Sequence, residues 1–302
     1  MTPEDFLKSL QKIAKKLEGH LGKIDPIDAV EGKEIAKEFE IVKNETKKNE
    51  SKGISKETIG IQIPGDSNAE ETRIVDQDLI NNLKNKFRDW KIGYKEQHNH
   101  TGDEFEPETF LEGYEKPFLI DIKKNIKSKI VILLDHSSSI SDQQIQYKKA
   151  TLGLCEVLAF LKIDFSVFAF NTTNRQVICW QIKPENSKWN NSCAKRLAQI
   201  PANGGTPLAE VYVKMLPLLS SKKPDIFVTL SDGEPSDPDA VRMTLKSYKN
   251  LGIKMTAIGV GRDTLSATGI ANNLKYLGYE KTLAVSRLIE IPNRVLSILS
   301  DY

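Results

Sequence analysis

Asp135, Ser137 and Ser139 stand within Lys129–Ser141, KIVILLDHSSSIS, as a D-x-S-x-S pattern of hard oxygen donors. Two more groups of the same chemistry occur downstream. Thr206 lies in Asn203-Gly204-Gly205-Thr206-Pro207, and Asp232 in Ser231-Asp232-Gly233-Glu234-Pro235. The set holds two carboxylates and three hydroxyls, with no cysteine and no well-placed imidazole. All-oxygen donors suit a hard divalent cation: Mg²⁺ uses one or two carboxylates and keeps waters, and Ca²⁺ also takes oxygen ligands. Mn²⁺ tolerates the same ligands. Two aspartates balance a +2 ion and the hydroxyls balance none. An ion held partly through bridging waters stays electrophilic, and an open position on it favours a carboxylate from a partner protein.

These residues need a frame that brings them together. Ile130–Leu134 is a short apolar, β-branched-rich run stopped by a polar turn, the pattern of a buried strand. The pattern then predicts a helix over Asp142–Lys162, strands over Asp164–Phe170 and Gln176–Gln181 joined tightly at Asn171–Asn174, and a short helix over Cys193–Gln199. Next come a helix over Leu208–Leu219, a strand over Asp225–Leu230, a helix over Pro238–Leu251 and a strand over Lys254–Val260. The chain ends with a helix closed by Leu274–Leu277, a strand over Thr282–Val285 and an amphipathic helix over Leu288–Leu299. Alternating strands and helices build a parallel-dominated sheet covered on both faces. The close turn makes the second and third strands antiparallel. Right-handed crossovers put every strand-to-helix loop at one edge, the edge where open α/β sheets bind ligands. The loops bearing Asp135, Thr206 and Asp232 therefore converge.

Other residues that invite chemistry are weaker. His98 and His100 suggest zinc with Asp103 or Glu104, but Gly102, the clustered acids and Pro107 read as a turn-rich loop, and no third soft ligand is placed to complete a site. Gly259-Val260-Gly261 lacks the rest of a G-x-G-x-x-G pattern and reads as a strand-end turn. No G-x-x-x-x-G-K-[ST] occurs, so any ATP chemistry belongs to a partner. Asp135 as a phosphoryl acceptor lacks an assignable lysine or base, and Ser137 and Ser139 as nucleophiles lack a histidine base.

In a chain of 302 residues, 43 basic and 41 acidic side chains give a net charge of +2, which offers no support for a nucleic-acid or membrane surface as main partner. The three cysteines, Cys155, Cys179 and Cys193, form no C-x-x-C and read as reduced core residues of a soluble cytoplasmic protein. Four stretches differ in character. Residues 1–22 form an amphipathic helix carrying Phe6, Leu10, Ile13, Leu17 and Leu21, started by Thr2-Pro3-Glu4-Asp5. Residues 23–69 are a charged connector, with a short helix around Val30–Val42. Residues 70–127 are a helical and irregular accessory region, with a helix over Glu71–Lys91, a short helix over 104–113 and an extended Phe118–Ile122. Residues 128–302 are the main α/β domain.

Asp135-His136-Ser137-Ser138-Ser139, then Thr206, then Asp232-Gly233 resemble the three loops of the metal-ion-dependent adhesion site of von Willebrand factor type A domains. The resemblance spans about Ser128 to Leu299. It implies that Ser137, Ser139 and Thr206 coordinate the metal directly, and that Asp135 and Asp232 do so directly or through water. It also implies a doubly wound, mostly parallel sheet with one antiparallel edge strand. Ser138 stands where glycine is common, and His136 is expected at the rim of the turn. Gly204-Gly205-Thr206-Pro207-Leu208, Ser231-Asp232-Gly233-Glu234-Pro235 and Ile258–Asp263 are similar to intracellular members: magnesium- and cobalt-chelatase subunits and proteins paired with MoxR-type AAA+ ATPases. The function this implies is that of a non-catalytic adaptor. Its Mg²⁺-type site binds a partner carboxylate, and it works with an AAA+ ATPase in metal insertion or complex maturation. The competing expectations are a scaffold binding through its N-terminal helices, and a metal-dependent phosphohydrolase using the same cluster.

Overall fold

The computed structural model describes residues 60–66, 71–88, 94–100, 104–105, 107, 110, 118–123, 128–174, 176–233 and 235–300. The amphipathic helix expected over residues 1–22 and the helix around Val30–Val42 lie outside these residues. In chain order the elements are β1 (Ile61–Gln62), α1 (Gln77–Lys86), β2 (Tyr94–Asn99), β3 (Glu104–Phe105), β4 (Phe118–Lys123), β5 (Ile130–Asp135), α2 (Gln144–Phe160), β6 (Phe165–Thr173), β7 (Gln176–Lys183), α3 (Asn191–Gln199), α4 (Leu208–Lys222), β8 (Ile226–Ser231), α5 (Pro238–Asn250), β9 (Lys254–Val260), α6 (Thr264–Leu277), β10 (Lys281–Val285) and α7 (Ile291–Ser300). No helix among the described residues is long and apolar enough to cross a membrane.

Seven strands form the main sheet in the order β1-β7-β6-β5-β8-β9-β10. The pairs β5–β6, β5–β8, β8–β9 and β9–β10 are parallel, and β6–β7 is antiparallel. The doubly wound, mostly parallel sheet is therefore as the sequence implies. Side-chain alternation along the central strands loads both faces. Ile130, Ile132 and Leu134 of β5 join one core with Ile226, Val228 and Leu230 of β8, beneath α2 and α7. Val131 and Leu133 join the opposite core with Phe227, beneath α4 and α5. A strand apolar on both faces must lie in the middle of such a sheet, so β5 and β8 are central and their carboxyl ends are adjacent.

Several expectations about the first part of the chain are corrected. Residues 61–62, read as part of a connector, add the edge strand β1 parallel to β7. The antiparallel strand β7 is thus covered on its outer side. The helix expected over Glu71–Lys91 is shorter. Glu71–Arg73 is a 3₁₀ turn, and α1 starts only at Gln77 because the Asp76 carboxylate accepts from the backbone N–H of Leu79, capping the helix there. Tyr94–Asn99, read as a turn-rich loop, is a strand antiparallel to β4. Glu104–Phe105, read as helix, pairs with β4 on its other side. The hydrogen bonds that decide both come from Phe118–Lys123, distant in sequence, so local composition carries no sign of them. Among the described residues no three His, Cys, Asp or Glu side chains gather as a metal cluster, and the side chain of His98 lies outside them.

The accessory helix α1 packs on the main domain. Ile80 and Leu83 are buried in the same core as α2. The interface is close at Gly153, where a Cβ would stand 3.2 Å from Leu83 Cδ1 and 3.4 Å from Leu79 Cδ2. All three cysteines are free and buried.

Candidate metal centre

The strand β5 delivers Asp135 to the carboxyl edge of the sheet, where the chain leaves regular structure. Asp135 is fully buried. One of its oxygens accepts from the backbone N–H of Ser137 at 2.9 Å, and the other from the Ser231 hydroxyl at 2.7 Å. Ser231 is the last residue of β8, so the neighbouring strand fixes the carboxylate. The 3₁₀ turn Ser138–Gln143 comes directly after and curls the chain so that Ser137 and Ser139 face the same way. Their hydroxyls lie 2.8 Å apart. Ser139 donates to Asp232 Oδ1 at 2.9 Å, and Ser137 reaches the same oxygen at 3.4 Å.

Thr206 enters from the third loop. The Ser138 N–H donates to Gly204 O at 2.9 Å, and the Asn203 N–H to His136 O at 2.8 Å, which ties this loop to the first. The Ser236 N–H donates to Thr206 O at 3.1 Å, which ties it to the loop after β8. Thr206 is buried, with its hydroxyl 3.6 Å from where a Cβ would project from Gly233. Gly204 has φ +75°, and a Cβ there would lie 2.3 Å from Thr172 Cβ and 2.5 Å from Thr172 O. Only glycine lets the loop pass so close to the end of β6.

The electrostatics arise from burial and from two acids sharing one place. The Asp135 carboxyl is pushed up to about 7, first by burial and then by the charge of Asp232, against the hydrogen bonds from Ser231 and Ser137. Asp232 is also raised by burial, opposed by bonds from Ser139, its own backbone and Ser137, and by the Arg262 guanidinium. Two carboxylates resisting ionisation beside three hydroxyls form a site whose formal charge a divalent cation would balance. The donor chemistry fits such an ion: Asp135, Ser137, Ser139, Thr206 and Asp232 could hold it, and no soft ligand competes.

The structure thus joins Asp135, Ser137, Ser139 and Asp232 through hydrogen bonds and places the Thr206 hydroxyl beside Gly233, the residue after Asp232. It also adds Ser231, which fixes Asp135, and Arg262, whose charge acts on Asp232. Both stand inside motifs named above, where nothing local distinguishes them from spacers. His136 is corrected. It is buried rather than on the rim, with its ring 5.5 Å from that of Tyr147 and neither ring nitrogen partnered among the described residues. The reason is in the backbone. The His136 N–H donates to Phe170 O at 2.9 Å, extending the β5–β6 ladder by one residue and turning the side chain into the core. Burial, and then the Lys148 charge, lower its imidazole to about 3. Gly259 and Gly261 form no nucleotide phosphate pattern; a Cβ on Gly261 would stand 2.2 Å from Ala267 N, so this glycine serves the close packing of α6.

A mostly parallel seven-stranded sheet, with oxygen donors from three loops at the carboxyl end of its central strands, defines an α/β domain with a cation-type edge site. The chain belongs to the von Willebrand factor type A domain family, whose model matches residues 129–281, just over half of it. A comparison with curated proteins gives no match. Among solved structures, the pilus adhesin SpaC from Lactobacillus rhamnosus GG is similar at 12% identity and a TM-score of 0.46, over 58% of this chain and 30% of that one. Proximal thread matrix protein 1 from the mussel byssus, in a structure with a zinc-occupied metal-ion-dependent adhesion site, is similar at 19% identity and 0.42, over 58% and 48%. The manganese-loaded TRAP protein of Plasmodium vivax is similar at 14% identity and 0.37, over 48% and 63%. The chain spans less than two thirds of each.

Proposed function

We propose that the chain is a metal-dependent protein-binding adaptor. Asp135, Ser137, Ser139, Thr206 and Asp232 hold a Mg²⁺-type cation, and a partner protein supplies an aspartate or glutamate to it. The observation that carries this reading is the meeting of the Ser137 and Ser139 hydroxyls on one oxygen of Asp232, 93 residues or more away in the chain. The ion supplies a fixed positive charge that an incoming carboxylate can share. The protein's part is positional: Ser231 and the Ser137 N–H hold Asp135 from beneath, and the two serines orient Asp232 from the side. Mn²⁺ or Ca²⁺ would fit the same donors.

The finer part of the proposal is the partner. The resemblance of residues 204–208, 231–235 and 258–263 to chelatase subunits and MoxR-associated proteins supports an AAA+ ATPase, with metal insertion or complex maturation as the work done and the cytoplasm as the compartment. The experiment is affinity capture with the full chain as bait, in Mg²⁺ and in chelator, with Asp135→Ala alongside. The expected result is an AAA+ ATPase retained in Mg²⁺ and lost in the other two arms. Capture unchanged by both chelator and Asp135→Ala sinks the metal-bridged reading. Turnover of phosphoesters with Mg²⁺ or Mn²⁺ that disappears in Asp232→Ala would replace it with a hydrolase.

A further inference from the structure

Beside the cluster, between the starts of α2 and α6, lies an open cavity of about 270 Å³. It shares Ser139 and Asp232 with the metal centre, and Ile140, Val260 and Ile270 also line it. Ile140 and Val260 are 4% exposed, so this apolar lining is set by the core and is not a mobile surface. Arg262 stands at its mouth, 71% exposed, paired across the cleft with Asp142 at 3.7 Å. That pair is exposed on both sides, so it is weak and its guanidinium can exchange partners. The Asp263 carboxylate is engaged in capping α6 through the Ser266 N–H at 2.7 Å. Leu265, between the lining residues Asp263 and Ser266, is 85% exposed, and Ile145, two residues beyond Gln143, is 48% exposed. A hollow lined in part by Ile140, Val260 and Ile270, touching the cation-type centre on one wall, has an apolar and an ionic part side by side, with the exposed Leu265 one residue from its lining.

We infer that this cavity is a second subsite of the partner-binding face, and that its occupant is an aliphatic side chain placed one to a few residues from the acid that reaches the metal. The inference rests on the reading of Asp135 to Asp232 as a metal-bridged docking point. The volume is below the roughly 300–1,000 Å³ of small-molecule pockets, which suits one side chain better than a cofactor. Charge argues in the same direction. With a cation on the five donors, the shared wall attracts an anion, and Arg262 can meet an acidic flanking residue once it leaves its exposed pairing with Asp142. The aliphatic lining takes the apolar side chain next to that acid. The centre alone would accept any accessible carboxylate; the cavity restricts the choice to acids with an apolar neighbour, as expected where specificity is a difference of affinities.

The test uses the full chain and displayed random 12-residue peptides, selected in Mg²⁺ and in chelator. The expected outcome is metal-dependent enrichment of an aspartate or glutamate with Leu, Ile or Met within three positions. A synthetic peptide of the enriched pattern should lose about tenfold in affinity when the aliphatic residue becomes serine. It should lose a similar factor on Leu265→Ser or Ile270→Ser, with melting curves confirming that each variant is folded. Leu265→Ser is the safer of the two because its side chain is exposed. Acid enrichment without an aliphatic neighbour, or affinity unmoved by both variants, overturns the subsite and leaves the metal reading standing. Selection that is equal in chelator overturns the metal reading itself. No enrichment at all overturns the subsite, and Mn²⁺ titration of the same protein by calorimetry then decides whether the centre binds metal.

Discussion

The Ser139 hydroxyl donates to Asp232 Oδ1 at 2.9 Å across 93 residues of chain. This bond joins the turn after β5 to the turn after β8 at the rim of the centre, while the Ser231–Asp135 bond joins the same two strands beneath it. The two bonds run in opposite senses, with a serine and an aspartate on each side. Neither loop is therefore free to move without dragging the other.

Asp232→Ala separates binding from folding. Removing Asp232 takes away a charge that raises Asp135, so the metal-free variant should melt at or above the wild-type temperature. It should also lose the stabilisation that added Mn²⁺ gives wild type, about 2.7 kcal/mol at a hundredfold excess over Kd. Thermal melts with chelator and with Mn²⁺ check both. A variant that unfolds in chelator, or that gains as much from Mn²⁺ as wild type, contradicts the role given to Asp232.

The pH dependence of metal-free protein carries a definite sign. Asp135 is raised from 3.8 to about 7, so the folded state holds its proton more tightly than the unfolded state. Its contribution to stability is complete below 3.8 and is lost as pH rises through about 7. Added Mn²⁺ should reverse the trend, because ligands must be deprotonated to bind and the ion is taken up more strongly as Asp135 ionises. Melts in chelator should therefore fall between about pH 5 and about pH 8 relative to Asp135→Asn, and the Mn²⁺-induced rise should grow over the same window. A gain from Mn²⁺ that shrinks towards about pH 8 would falsify the assignment.

How far the sequence carries differs by region, for physical reasons. The run Ile130–Leu134 is apolar on both faces, which only a central strand requires, and the five donors sit at the ends of such runs or ahead of a helix; fold and cluster are legible together. Ser231 is not, because its role depends on β8 lying beside β5, a pairing that only the sheet creates. His136 is misplaced by a reading of the sequence because one extra ladder bond to Phe170, invisible in composition, turns its ring inward. Residues 94–99 and 104–105 are misread for a related reason: short strands with few apolar residues are decided by a distant partner, β4. The end of α2 shows the limit of periodicity: Lys162, counted into the helix, has φ 58° and stands past its cap at Leu161.

Gly204 and Gly205 are adjacent yet should respond differently to the same change. Alanine at 204 places a Cβ 2.3 Å from Thr172 at a φ of +75°, so the loop must shift. The Ser138 N–H is bonded to Gly204 O, so the shift reaches the serines. Gly204→Ala should cost about 2–4 kcal/mol and weaken Mn²⁺ binding. At 205 a Cβ meets only Ser236 Oγ, at 3.8 Å, so Gly205→Ala should stay within about 1 kcal/mol. Denaturant titration and Mn²⁺ calorimetry on the pair measure the contrast; equal losses would mean that the loop is not held through Thr172.

The docking of α1 on α2 has an apolar part and an ionic part, and the two can be told apart. Leu83 is 4% exposed and lies over Gly153. Lys84 pairs with Glu156 at 2.8 Å, with both side chains 31% exposed. Burial of a leucine outweighs a half-exposed ion pair, whose charges stay in contact with water and are screened by salt. Leu83→Ala should therefore cost about 2–4 kcal/mol, and Lys84→Ala under about 1 kcal/mol, shrinking further in high salt. Glu156 keeps its other bond, from Trp189 Nε1 at 2.9 Å, so the lysine variant leaves no carboxylate without a partner. Because α2 begins at the turn that carries Ser137 and Ser139, α1 braces the helix behind the metal centre. Leu83→Ala should then also accelerate amide exchange at the start of α2, while Lys84→Ala leaves it unchanged. A reversed order of the two variants in stability would mean that charge, and not the leucine, seats the accessory helix.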